Sequence, residues 1–188
     1  MLNDSSASEL PISLRGRLLL ATPSLSDGMF DHAVILLSQH SAEEGAFGTI
    51  INHPTKATVS DLLPEMEASS LGEIPIHRGG PLSPDSLTFS SFLWDSEGKL
   101  SFSPQISVEQ AKAAIENNNQ IVQATLGYSA WSPGQLESEL VRNTWITRKP
   151  AATLLSQPHD RALWKKLLTE ISPYHDLLSQ APKNPLFN

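Results

Sequence analysis

The stretch that most constrains the fold is LGYSAWSPGQLESEL, residues 126 to 140, where a strand runs into a tight turn and the turn opens a helix. Residues 121 to 128 are apolar and β-branched enough for a buried strand, and Gly127 marks a bulge or a close approach by another backbone. Ser132-Pro133-Gly134-Gln135 has the form of a capping box. In that form the Ser132 side chain accepts from the Gln135 N–H, the Gln135 side chain returns to the Ser132 N–H, and Pro133 takes the first helical position. Leu136 and Leu140 would face the core, with Glu137 and Glu139 in the first turn, where the helix dipole favours negative charge. Free amides near Gly134 and Gln135 could hold an anion, unless the cap and the glutamates already satisfy them.

A chain of 188 residues is long enough to bury a full core, and 39% hydrophobic with 18% charged residues lies outside the disordered class. Net charge is −7, from 13 basic against 20 acidic residues, with the basic ones dispersed. A phosphate backbone needs a clustered cationic face, so direct nucleic-acid binding is disfavoured. The absence of cysteine excludes disulfides, thiolate catalysis and zinc-thiolate sites. No apolar run approaches the length of a membrane span, and the start carries no signal pattern, so the expected location is cytoplasmic.

Residues 1 to 12 read as a flexible arm, 13 to 172 as a single α+β domain with mixed or antiparallel pairing, and 173 to 188 as a proline-containing tail. Strands are expected at 17 to 21, 33 to 37 and 47 to 52, the last two forming a hairpin, and at 74 to 78, 87 to 94, 100 to 102 and 144 to 147. His53-Pro54 should stop the third strand, Thr58 should cap a short helix ended before Pro64, and Gly79-Gly80-Pro81 should form a sharp turn. Ser107 and Gln110 make a further capping box opening a helix that the Asn117-Asn118-Asn119 run ends, and amphipathic spacing predicts short helices over 151 to 156 and 160 to 171.

Four ordered blocks, at 18 to 40, 45 to 54, 78 to 81 and 126 to 145, resemble the bacterial YqgE/AlgH family of uncharacterised proteins. The resemblance implies an α+β fold whose bent or bifurcated sheet forms a pseudo-barrel with packed helices, in a cytoplasmic protein; one member is named for a regulatory effect on alginate synthesis. The chain departs from the pattern at His32 and His53, where the family often carries basic residues, at Phe47, and at Ala130, where glycine is usual. Imidazoles in place of fixed cations imply weaker or pH-dependent anion binding.

Ser24, Ser26, Asp27 and His40 supply the residue types for a nucleophile, orienter and base, but no Gly-x-Ser-x-Gly elbow is present. The six histidines show no metal-binding spacing, and Asp27, His40 and Glu139 could form a metal site only if folding gathered them. The candidate cleft comprises Thr22, Asp27, His40, Asn52, Gly80, Trp131, Gln135 and Glu139, with Trp131 offering a flat face to a ligand. Two readings stand: the loops converge on a binding cleft, or the same polar groups lock the backbone of a sharply bent sheet. The function expected is a binding or regulatory module with a protein partner or small ligand and no cofactor. The alternative is a hydrolase or metal-assisted enzyme acting near residues 22 to 40 and 131 to 139.

Overall fold

The computed structural model describes residues 13–26, 28–97, 100–116, 120–151, 154 and 158–171. The expected arm, tail, Asn117-Asn118-Asn119 run and most of the 151 to 156 helix lie outside those residues, as does Asp27.

Strand β1 (Leu18–Ala21) is buried at every position. It pairs antiparallel with β2 (Val34–Ser41), which pairs antiparallel with β3 (Gly45–Ile50) as the hairpin expected from sequence. On its other side β1 pairs with β9 (Trp145–Arg148). Val34 to Leu37 are all buried, as a continuous apolar run of strand length requires when both faces are covered. Strand β4 (Pro54–Thr58) departs from expectation, because His53-Pro54 reads as a terminator. Proline is tolerated at the first residue of an edge strand, and β4 lies at the end of the sheet, paired among the described residues only with β5 (Pro75–Arg78). The short helix α1 (Val59–Leu62) follows, with the Thr58 and Asp61 capping box that the sequence indicates.

Strand β8 (Gln120–Trp131) joins the two halves. Its residues 124–126 pair in parallel with β5 and antiparallel with β6 (Leu82–Trp94), while residues 129–131 pair with β3. Since β5 and β6 flank the same three residues, the link between them must cross β8. Gly79-Gly80 makes that crossing. A Cβ on Gly80 would stand 2.2 Å from the Tyr128 carbonyl group, and one on Gly79 would stand 2.3 Å from the Gly127 oxygen. The expected sharp turn is therefore a close passage of one backbone over another, which only glycine permits. The pairing of β8 with β6 shifts register between Leu82 and Leu87 with the extra residues on β6, and of the two readings of Gly127, a bulge or a close approach, the structure shows the close approach: at φ 72°, a Cβ there would stand 2.6 Å from the Gly80 oxygen and 2.7 Å from the Leu82 oxygen. Among the described residues β7 (Leu100–Ile106) pairs with β6 alone.

The result is a mixed sheet that curls where β8 changes partners, with helices against it. One apolar cluster lies under β1, β2 and β3 and includes Trp131, Trp145 and residues of α4 (Arg161–Thr169). A smaller one, with Val59, Ile76, Phe89, Ala111 and Ala124, seats α2 (Val108–Ile115) against β6 and β8. α2 begins with the expected capping box: Gln110 N–H donates to Ser107 Oγ at 3.2 Å, and Ser107 N–H donates to Gln110 Oε1 at 2.8 Å.

Candidate functional site

The turn after β8 differs from the capping box expected there. Helix α3 (Gln135–Val141) starts at Gln135, and its cap is Gly134, at φ 77° and ψ −10°. Gln135 N–H donates to the Ser132 carbonyl at 3.0 Å rather than to its hydroxyl. Pro133 and Gly134 thus occupy the centre of a type II β-turn, which places proline second and needs positive φ third. The returning half of the box is kept, since Ser132 N–H donates to Gln135 Oε1 at 3.0 Å.

Helix α3 presents two glutamates two positions apart, so they leave it in different directions. Glu139 closes a clasp. Its Oε2 accepts from the Trp131 indole at 2.8 Å and from the Trp145 indole at 2.7 Å, and its Oε1 accepts from Gln135 Nε2 at 3.0 Å. The two indoles meet edge to face at 6.0 Å, and Phe30 meets Trp145 in the same manner at 5.7 Å. The flat face expected of Trp131 is not available to a ligand, because the residue is only 5% exposed and packs in the core.

Glu137 reaches the other way, to His40 Nε2 at 2.8 Å. Leu14 N–H donates to His40 Nδ1 at 3.0 Å, which fixes Nδ1 as the acceptor and Nε2–H as the donor to the carboxylate. Both ring nitrogens are engaged, so neither is free to take a proton from a serine, and the expected base of a hydrolytic set is occupied. His40 is bonded to Glu137 and not to Glu139, and among the described residues no three His, Asp or Glu side chains gather to hold a metal ion.

The remaining candidates lie apart. Asn52 is fully buried; its Oδ1 accepts from Val34 N–H at 2.8 Å and its Nδ2 donates to the His32 carbonyl at 2.9 Å, tying the end of β3 to the loop before β2. Thr22 Oγ1 donates to the Thr144 carbonyl at 3.2 Å and lies 3.1 Å from Ser24 Oγ. Gly80 makes the strand crossing. The structure thus brings Trp131, Gln135 and Glu139 together, adds Trp145 and Glu137, and engages each in bonds within the protein.

The two histidines in place of family cations sit in different surroundings. His53 is buried, and burial first, then the charges of Arg161 and Arg78, push its pKa below the usual 6.5 against the favourable His32 and Asp31 carbonyls. It therefore stays neutral and offers an anion no charge. His32 lies 3.2 Å from Asp31 and edge-on to Trp164.

The open concavity lies elsewhere, inside the curl of the sheet. A groove of about 790 Å³ runs between β2 and β3 on one side and β6 and β7 on the other, with β8 beneath. Its walls are rich in hydroxyls, among them Ser38, Thr49, Ser86 and Thr88, and they carry Arg15 and the aromatic rings of Phe47 and Tyr128. Those two rings lie 6.2 Å apart at a tilt of 34°, and Tyr128 is 38% exposed. Of the described candidates named from sequence, His40 alone lines this groove. Alternation explains why the hydroxyls carry no sequence signal: alternate residues of a strand share a face, and serines and threonines spread over several strands form no motif.

A family model described as AlgH-like, DUF179, matches residues 18–175. The chain belongs to the AlgH-like family. Its relatives include UPF0301 proteins of Bacteroides thetaiotaomicron, 32% identical over 93% of this chain and 91% of the relative, and of Streptomyces avermitilis, 33% identical over 94% and 96%. Among solved structures, the AlgH protein of Pseudomonas aeruginosa superposes with TM-score 0.63 at 24% identity, covering 92% of this chain and 96% of that one. A protein of Corynebacterium diphtheriae superposes with TM-score 0.67 at 20% identity over 93% and 96%. These likenesses establish the α+β curled sheet as an AlgH-like fold. No described helix is long and apolar enough to cross a membrane.

Proposed function

We propose that this AlgH-like chain is a binding module whose ligand lies in the concave groove between β2–β3 and β6–β7. The observation that carries the reading is the groove itself: about 790 Å³ of open space walled by hydroxyls, with exposed Tyr128 beside Phe47 and, among the described residues, one lining guanidinium, Arg15. Such a wall offers many hydrogen bonds, a flat apolar face and little charge, which suits an uncharged or singly anionic polar ligand. The module acts in the cytoplasm, a placement supported by the cysteine-free composition. Its regulatory effect, in this reading, comes from occupancy of the groove, and an acidic chain with dispersed cations would exert it without direct contact to nucleic acid.

Thermal unfolding against a panel of mono- and oligosaccharides, nucleosides and small carboxylates tests this. A ligand at a hundred times its Kd stabilises by about 2.7 kcal/mol. The reading expects a hit that Tyr128→Ala and Arg15→Ala weaken and Gln135→Ala leaves in place. A hit unaffected by either groove substitution would place the ligand elsewhere.

A further inference from the structure

Among the described residues, four that are not glycine hold a left-handed backbone: His32 at φ 57°, Ser83 at 47°, Gln105 at 53° and Asn143 at 56°. Each carries a steric cost that glycine would avoid. Two have local reasons. Asn143 follows α3, where asparagine commonly ends a helix, and its N–H donates to the Leu140 carbonyl at 3.0 Å. His32 sits in the turn that Ala33 N–H closes on the Phe30 carbonyl at 3.0 Å. Ser83 and Gln105 instead lie inside strands, in β6 and β7, and both line the concave groove.

Their placement follows from irregularities of the sheet. Ile106 pairs with Phe89 and Ser103 with Ser91, so on β7 two residues, Pro104 and Gln105, oppose Ser90 alone. Regular alternation would turn one of that pair away from the groove, yet both line it, which is how a bulge re-aims a side chain. On β6, Ser83 opens the stretch of extra residues between the Leu82–Tyr128 and Leu87–Leu126 pairs, and Pro84 after it narrows its backbone choices further. Both side chains are exposed, so packing gives no reason to keep them, and neither hydrogen-bonds another described residue. Strain held where glycine would serve the fold marks a functional contact.

We propose that Ser83 and Gln105 are the contacts that select the groove's ligand, and that this ligand is an uncharged sugar of two or more rings. The inference rests on the groove being the binding site, as proposed above. Among the described residues no Asp, Glu or Lys lines it, so an ammonium group finds no counter-charge there and a polyanion finds only Arg15. The Ser83 hydroxyl and the Gln105 carboxamide each donate and accept, and the other lining hydroxyls do the same. A sugar, whose hydroxyls also play both roles, matches such walls better than a nucleobase or carboxylate, whose donors and acceptors are fixed. Tyr128, 38% exposed beside Phe47, supplies a face for the C–H side of a sugar ring. At about 790 Å³ the groove holds more than a single ring.

The test titrates maltose, cellobiose and lactose into the full-length ¹⁵N-labelled protein. At least one is expected to give saturable amide shifts at Ser83, Ser86 and Gln105. Ser83→Gly and Gln105→Gly should each weaken that binding by about fivefold, the loss of one hydrogen bond, while raising the urea midpoint as the strain is relieved. Asn143→Gly, at a left-handed position outside the groove, should leave the affinity unchanged. Undiminished binding in both groove variants, or a urea midpoint that rises in neither, would overturn the role of the two residues. Silence from all three disaccharides beside a nucleoside or carboxylate hit that Tyr128→Ala weakens would overturn the sugar and leave the groove reading standing. Silence from every compound would overturn both.

Discussion

Two buried side-chain amides, close to one another in the fold, have contrasting surroundings. Asn52, between β3 and the loop before β2, spends both its oxygen and its nitrogen on backbone groups, whereas Gln123, on β8, spends only its nitrogen. The Glu139 clasp resembles the first case, with three donors converging on one carboxylate, and His77 resembles the second. Buried polar groups cost stability unless paired, so full pairing marks a group that holds the fold. An unpaired buried acceptor marks a group that the fold leaves half served, at a cost in stability.

Breaking the satisfied side should have the largest effect. Glu139→Ala strips the acceptor from two indoles and an amide, and chemical denaturation should show a loss of about 3 kcal/mol, with altered tryptophan fluorescence from Trp131 and Trp145. The conservative change Glu139→Gln retains one acceptor oxygen and should recover roughly half of that.

Acid probes the buried histidines next. His53 and His77 have folded pKa values below the usual 6.5, so above that pH both folded and unfolded chains leave them neutral and stability is complete. As pH falls below about 6.5 the unfolded chain takes up protons that the folded chain refuses, and stability drops by about 1.4 kcal/mol per pH unit for each refused proton. Unfolding free energies from pH 7 to 5 should show this slope, and His77→Phe should flatten it by one proton's share.

A smaller effect is expected at the turn into α3. Gln135→Ala removes the bonds to Ser132 N–H and to Glu139, and should cost about 1 kcal/mol by denaturant midpoint, since both groups stay accessible to water. Smallest of all should be Glu137→Gln, which keeps a neutral acceptor for His40 Nε2–H at an exposed position; its shift should stay within about 0.5 kcal/mol.

Much of this fold is legible in the sequence because its signals are local. Ser107 and Gln110 complete their capping box within one turn, and the apolar runs of β1 and β2 announce buried strands. β4 escapes a sequence reading because Pro54 looks like a stop unless the strand is known to lie at an edge. Gly79-Gly80 reads as a turn because nothing nearby reveals the strand it crosses. The Ser132 turn departs from its expected form for a subtler reason: Pro-Gly serves a type II turn as well as a helix start, and the pair looks the same in both.

The candidate residues divide along the same line. Glu139, Gln135 and Trp131 are brought together by the spacing of one helix turn and one tight turn, but Trp145, their fourth partner, arrives from the next strand. Asn52 meets Val34 and His32 across eighteen and twenty residues. The hydroxyl-lined groove assembles from segments scattered along the chain and leaves no motif.

Unfolding Asn52→Leu and Gln123→Leu side by side in urea at pH 7 bears most directly on the contrast between satisfied and unsatisfied polar groups. Asn52→Leu orphans a buried N–H and a carbonyl, and should lose about 3 kcal/mol; Gln123→Leu orphans the Ile51 carbonyl while removing an unpaired acceptor, and should lose about 1 kcal/mol. Equal losses, or a larger loss at Gln123, would contradict the distinction between fully paired groups that hold the fold and groups that the fold leaves half paired.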